Sequence, residues 1–397
     1  MLKLGRGLHA HGYPAHRLEA ALGRVSRRLD LHGQFFSMPT ALFASFGAGE
    51  DQRTFQIRVE PGAMDLRTLA DLEDIADAVA GGSLAPDEGG RRVDAAMAAP
   101  GPYAPWLTTA CFAVTSAAAA RFFGGGAHEI VAAGAVGLVI GLLSLLAGKL
   151  TALGRVFEAV GAFAAALVSC FAAQAFAPVS VYIAIVAGII VLVPGFTLTV
   201  AMTELATRNL VSGTARLAGA AGTFLAIGFG VALGTRLGEA LFGEAALARP
   251  RPLPLWTEAV ALAIAPLALM VLLRAPSRDA LWILVAGVLG YGGARVGSIL
   301  LGPELGTFVG AFVVAAASNV YSRALNRPSA IPIVPALLLL VPGSLGFQSL
   351  SRLLDRETVP GVEAAFRMTL VAVSLAMGLL FGQLVVPGRD RGPAPAR

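Results

Sequence analysis

From Pro105 onward, apolar runs of about 20 residues follow one another almost to the end of the chain, and that is the length an α-helix needs to cross a hydrocarbon core of ~30 Å. Ten such runs are expected to be membrane spans, near 105–123, 128–147, 156–176, 179–199, 213–235, 256–273, 280–296, 305–322, 330–347 and 364–386. In hydrocarbon every backbone polar group must find an internal partner, so segments of this kind fold as helices. The fold class expected is an all-α polytopic membrane protein.

The charge distribution agrees. Charged residues make up only 14% of the 397 residues, against roughly 25% in soluble proteins. Residues 1–100 carry eleven Lys/Arg and thirteen Asp/Glu, and the apolar remainder carries nineteen and twelve. The positive surplus therefore sits in loops and helix ends, where it suits an anionic lipid surface. Basic residues are nowhere clustered among aromatics, so nucleic acid is not an expected partner. Short loops on the two sides hold equal numbers of basic residues. Arg91 and Arg92 before the first span, with Arg389, Arg391 and Arg397 after the last, favour both termini on the cytoplasmic side. The absence of a leader ahead of the first span points the same way.

Residues 1–100 read differently, as a small α+β domain. Leu18, Leu22, Val25 and Leu29 share one face of a helix over 14–29, and Pro14 suits its start. Short strands are expected over 34–37 and 41–46, and Arg53 to Glu60 alternates with Phe55, Ile57 and Val59 on one face. Further helices are expected over 65–80 and 86–98, before the breaker Pro100-Gly101-Pro102. His9, His11, His16 and His32 are expected at its surface. Cys111 and Cys170 lack metal-ligand or disulfide spacing and read as buried apolar residues.

The apolar part repeats itself. Val160-Gly-Ala-Phe163 recurs as Val309-Gly-Ala-Phe312, and Ala166 and Ser169 recur as Ala315 and Ser318 at the same offset. Leu192-Val-Pro-Gly195 recurs as Leu340-Val-Pro-Gly343. Two motifs in one order at nearly one offset predict two five-helix units, residues 105–235 and 256–388. Five is odd, so the second unit must enter from the opposite side, giving an inverted repeat of the kind secondary transporters use.

Pro-Gly falls inside the fourth span of each unit. Proline removes a backbone donor and glycine relaxes the backbone, so each helix should break there. Paired breaks in corresponding spans are the best sequence pointer to a transported solute's site. The candidate substrate-binding residues are therefore Pro194, Gly195, Thr197 and Thr199 in the first unit, with Pro342, Gly343 and Ser344 in the second. Asn319 joins them, and Ser318, Ser169 and Gln174 add polar groups suited to interhelical hydrogen bonds. Glu204, Glu158 and Glu304 are the carboxylates placed to carry coupled protons, Glu204 foremost because it follows the first break. The sequence offers no catalytic constellation, metal-ligand set, phosphate loop or dinucleotide fingerprint, so neither cofactor nor metal is expected and an ion gradient is the natural energy source.

Taken together, these stretches resemble the threonine/serine exporter family. The likeness rests on Gly12-Tyr-Pro-Ala-His-Arg-Leu-Glu19, Phe36-Ser-Met-Pro-Thr40, Arg58-Val59 and Asp65-Leu66 in the first hundred residues. Val193-Pro-Gly195, Glu204, Ser212-Gly213 and Arg216 carry it in the first unit. Asn319-Val-Tyr-Ser-Arg323, Arg327-Pro328 and Leu340-Val-Pro-Gly343 carry it in the second. The resemblance implies proton-driven export of small amino acids, threonine or serine, through a bacterial inner membrane. Relatives split into two polypeptides, thought to export succinate, leave a small dicarboxylate open as substrate. A membrane enzyme with a hydrolase-like soluble domain, a passive channel, and self-association also stay open at this level.

Overall fold

The computed structural model describes residues 1–47, 49–60, 62–176, 178–244, 250–354 and 356–388. The tail arginines Arg389, Arg391 and Arg397 lie outside the described residues, as does Arg249.

The N-terminal segment is α+β. Helix α1 (Leu2–Ala10) and α2 (Ala15–Arg28) lead into strands β1 (Gln34–Met38), β2 (Ala41–Phe46) and β3 (Arg53–Arg58), and α3 (Leu66–Ala80) and α4 (Pro86–Ala98) follow. The strands form one antiparallel sheet in sequence order. Pro14 is the N-cap of α2, and Leu18, Ala21, Leu22 and Val25 form its buried face. The Asp65 side chain caps α3 by accepting from the Thr68 amide at 2.9 Å, which closes one of the helix's unpaired donors. Helix α1 was not legible in the sequence. The histidines depart from expectation: His9 is buried, with Nε2 2.6 Å from the Met38 carbonyl, and the His16 Nδ1 is buried too.

The apolar part runs as α5 (Pro105–Phe122), α6 (Ala127–Ala147), α7 (Thr151–Gly154), α8 (Phe157–Ala175), α9 (Val181–Gly188), α10 (Gly195–Ala206) and α11 (Leu210–Phe242). It continues with α12 (Trp256–Leu272), α13 (Ala280–Leu301), α14 (Pro303–Leu325), α15 (Ala330–Leu338), α16 (Gly343–Leu354) and α17 (Thr358–Val385). Among the described residues, seven helical stretches are long and apolar enough to cross a membrane, Ala330–Leu354 being one of them taken across its break. The ten expected spans are thus not all single crossing helices. Helix α12 has only 17 residues, and the fourth run divides into α9 with 8 residues and α10 with 12. Helices α11 and α17 outrun their expected spans, with 33 and 28 residues.

Large apolar side chains point outward along this part. Val131 on α6, Leu225 and Phe229 on α11, Ile299 on α13 and Phe366 on α17 are all more than 60% exposed. Water would make such a surface prone to association, whereas lipid solvates it. Inside, the helices meet through small residues. A Cβ on Gly234 of α11 would lie 2.5 Å from the Phe163 carbonyl of α8, and one on Gly382 of α17 would lie 2.7 Å from the Phe312 carbonyl of α14. Glycine at these points lets the backbones approach closely, and that packing substitutes for the hydrophobic effect lost in lipid. The same pairings recur along the chain: α8 with α11 and α14 with α17, α10 with α11 and α16 with α17, α6 with α9 and α13 with α15.

Candidate substrate site

Both Pro-Gly motifs interrupt their helices. Residues 189–194 are unwound between α9 and α10, and 339–342 are unwound between α15 and α16. Proline at 194 and at 342 cannot donate, and its ring denies the preceding turn, so α10 and α16 each start afresh at the following glycine. The two starts touch. A Cβ on Gly195 would lie 3.0 Å from the Gly343 nitrogen, and one on Gly343 would lie 2.8 Å from Cγ1 of Val193.

A cavity of about 750 Å³ opens at this junction. Pro194, Thr197, Pro342, Gly343 and Ser344 line it, as does Glu158 from the first turn of α8. Gly195 lies buried at the contact between the breaks. Among the described residues, the amides of Phe196 and Thr197 at the start of α10 have no backbone acceptor, and the same holds for Ser344 and Leu345 of α16. Each helix start also carries partial positive charge, so the two together favour an anion between them.

Apart from backbone and Glu158, the polar wall of the cavity is made of hydroxyls, with Thr115, Ser144, Thr197, Thr223, Thr307 and Ser344 contributing. Thr115 is 7% exposed and its Oγ1 has no hydrogen-bond partner among the described residues. Tyr291 also faces the cavity, its hydroxyl donating to Glu258 of α12. Glu158 is the only charged side chain among the described lining residues, and no Lys, Arg or His joins it. Thr115, Tyr291 and Thr307 were missed at the sequence level because nothing local separates a cavity-facing hydroxyl from one satisfied by its own helix. Met64 and Ala63 of the N-terminal segment also reach the cavity, and no local signal in the chain marks a loop that does so.

The remaining candidates lie elsewhere. The Thr199 hydroxyl donates to the Gly195 carbonyl at 3.2 Å, and Thr199 lines a separate small cavity. Asn319 is buried and its Nδ2 donates to the Val386 carbonyl at 2.7 Å, tying α14 to the end of α17. Gln174 donates to the carbonyls of Gly243 and Glu244. Ser169 and Ser318, expected in interhelical bonds, have no partner for their hydroxyls among the described residues. Glu304 stands in the first turn of α14, 3.7 Å from the Arg367 guanidinium.

Glu204 is fully buried and is not among the residues lining the large cavity. Both its oxygens accept from Arg216 Nε, at 3.1 and 3.0 Å, and Oε2 also accepts from the Ser212 hydroxyl. The amide of Ala15, first residue of α2, donates to Oε1 at 3.0 Å. The carboxylate therefore serves as an anion at the N-terminus of α2 and ties the N-terminal segment to α10 and α11. Its partner is Arg216, not the nearer-in-sequence Arg208. Three donors making four hydrogen bonds hold this buried carboxylate in place, which suits an anchor.

Two family models together match most of the chain. Residues 1–238 match a family model of threonine/serine exporters, and residues 258–385 match a second, "Threonine/Serine exporter, ThrE". Among curated proteins the chain is similar to pheromone-regulated membrane protein 10 of Pichia sorbitophila, 26% identical over 93% of this chain and 38% of the relative. The protein of the same name in Candida albicans SC5314 is 27% identical over 88% of this chain and 33% of the relative. That of Saccharomyces cerevisiae YJM789 is 26% identical over 97% of this chain and 53% of the relative. The chain thus spans a third to about half the length of these relatives. No solved structure matches.

Proposed function

This chain is a membrane protein of the threonine/serine exporter family, and from that premise we propose that it exports small amino acids by alternating access, in exchange for protons. The observation that carries this reading is the pairing of two abutting helix starts with one carboxylate in a single cavity. An amino acid is a zwitterion. Its carboxylate fits the free amides at the starts of α10 and α16, where two helix dipoles converge. Its ammonium fits Glu158. The hydroxyls of Thr115, Thr197 and Ser344 suit a short polar side chain such as that of serine or threonine.

The same charge distribution argues against a small dicarboxylate. Such a substrate would bring two negative charges into a cavity whose only charged side chain among the described lining residues is Glu158, and like charges in a low-dielectric site repel strongly. Two carboxylates would need a cationic side chain, and the described lining has none.

Glu158 also supplies a coupling logic. One carboxylate holds either an ammonium or a proton, and not both at full strength. Proton entry from the acidic side displaces the amino acid there, and loss of the proton on the other side readies the site for the next one. The alternation itself follows from two five-helix units in opposite orientation. Supporting that architecture, Pro194 and Pro342, Thr223 and Val371, and Glu158 and Thr307 each stand 148 or 149 residues apart and line one cavity. Residues 1–100 form the cytoplasmic domain in this reading, and the membrane is a plasma membrane with both termini inside.

The test is efflux from proteoliposomes loaded with labelled threonine, serine or succinate, with and without a pH gradient. Threonine or serine should leave faster when the opposite side is acidic, and Glu158→Gln should lower that efflux at least tenfold while Glu158→Asp keeps part of it. Succinate outrunning both amino acids would overturn the assignment, as would gradient-driven efflux unaffected by Glu158→Gln.

A further inference from the structure

A second cavity, of about 80 Å³, lies beside the first. One wall is the N-terminal segment, with Tyr13 and His16. The other is membrane helix, with Thr199 and Thr203 of α10 and Gln383 of α17. Met64, Phe196 and Val334 line both cavities, so these three side chains are the partition between them. Met64 comes from the loop before α3, Phe196 from the first turn of α10 just beyond the break, and Val334 from α15 just before the other break.

The first turns of α10 pass from one cavity to the other: Thr197 faces the large one and Thr199 the small one. The small cavity also holds polar functions out of keeping with mere packing. The His16 Nδ1 is buried there without a hydrogen-bond partner among the described residues, and an unsatisfied buried donor or acceptor is costly unless something binds it.

The N-terminal segment is fixed in place at several points. The Ala15 amide binds Glu204, the Leu66 amide donates to the Leu273 carbonyl at 2.9 Å, and Arg274 reaches Asp65 at 3.4 Å. Leu66 and Leu69 share a buried apolar cluster with Met270, Val271 and Ile331. A soluble segment seated this firmly, with one flexible thioether projecting between two cavities, does more than decorate the transporter.

We propose that the N-terminal segment is the gate of the transport path on its own side of the membrane, with Met64 closing the passage against Phe196 and Val334 and the small cavity forming the next stop for the solute. This inference rests on the export reading above. It gives residues 1–100 a task in permeation, in place of hydrolysis, and requires that Met64 become accessible during turnover.

The experiment uses the full chain in proteoliposomes, with Cys111→Ala and Cys170→Ala removing the native thiols. Met64→Cys is then treated with a bulky membrane-impermeant thiol reagent during amino-acid efflux, and labelling is followed by mass spectrometry. Labelling should rise severalfold during turnover over the resting rate, and the labelled protein should lose efflux at least tenfold. Met64→Ala should raise gradient-independent leak severalfold. Complete labelling without loss of efflux would overturn the gate, and so would absence of labelling during active efflux. Phe196→Cys repeats the measurement from the membrane side should Met64→Cys fold poorly. If the unlabelled, thiol-bearing parent chain moves neither threonine nor serine, the export reading fails and not the gate alone.

Discussion

Gly195 and Gly343 meet backbone to backbone: a Cβ on Gly195 would lie 3.0 Å from the Gly343 nitrogen and 3.2 Å from its Cα. That contact holds two helix starts side by side. Backbone cannot swing away as a side chain can. Gly195→Ala should therefore push the breaks apart, with an overpacking cost of ~1–3 kcal/mol borne by the site itself. Gly343→Ala meets chiefly the Val193 side chain, at 2.8 Å, which has more room to yield. Efflux assays should find Gly195→Ala the more damaging of the two, at similar expression and detergent stability.

Thr115 separates substrate recognition from folding. Its buried hydroxyl has no partner among the described residues, so Thr115→Val removes a group that they leave unsatisfied. The melting temperature should stay level or rise slightly. The KM for serine or threonine should rise about five- to tenfold, the ~1–1.5 kcal/mol of one hydrogen bond. Equal loss of stability and affinity would mean that the hydroxyl serves packing alone.

Glu204 and Glu158 should respond differently to the same change. Glu204→Gln keeps the shape of a side chain buried against Arg216 but strands the guanidinium. Breaking a buried pair costs about 3 kcal/mol, the lower end of the usual range because Arg216 keeps some contact with solvent. Thermal stability should fall and the N-terminal segment should become easier to clip with protease. The pH dependence of residual efflux should be that of the parent. A changed pH profile in this variant would return Glu204 to the coupling mechanism.

His16 makes the seating of the N-terminal segment sensitive to acid. Burial, with the Arg17 charge nearby, pulls its pKa down to about 4, from ~6.5 in an unfolded chain. A depressed folded value means that the contribution is present above pH ~6.5 and is lost as the pH falls through about 4, because the unfolded chain takes the proton first. Melting temperature measured from pH 7.5 down to 4.5 should drop, and His16→Gln should flatten part of that slope. A slope unaltered by the substitution would place the acid sensitivity in other groups.

Much of this protein was legible one residue at a time. Apolar run length determined its membrane class, because lipid leaves a spanning chain few alternatives to helix. Proline chemistry determined where α10 and α16 begin, and the recurrence of Leu-Val-Pro-Gly pointed to both breaks. Although Phe55 on the expected apolar face of β3 is exposed, the existence of that strand was equally local, and so was the amphipathic face of α2. The positions of Glu204 and Glu158 were not. Both are carboxylates near helix ends, and their sequence neighbours put Glu204 first. Only the folded chain brings Ala15, 189 residues away, and Arg216 to Glu204 while turning Glu158 into a cavity without a counter-ion among the described lining residues. The task of a charged group depends on which partners surround it, and those partners come from distant segments. Run length and dihedral preference are properties of the chain itself, whereas the environment of a carboxylate, or of Met64 between two cavities, exists only once the helices have packed.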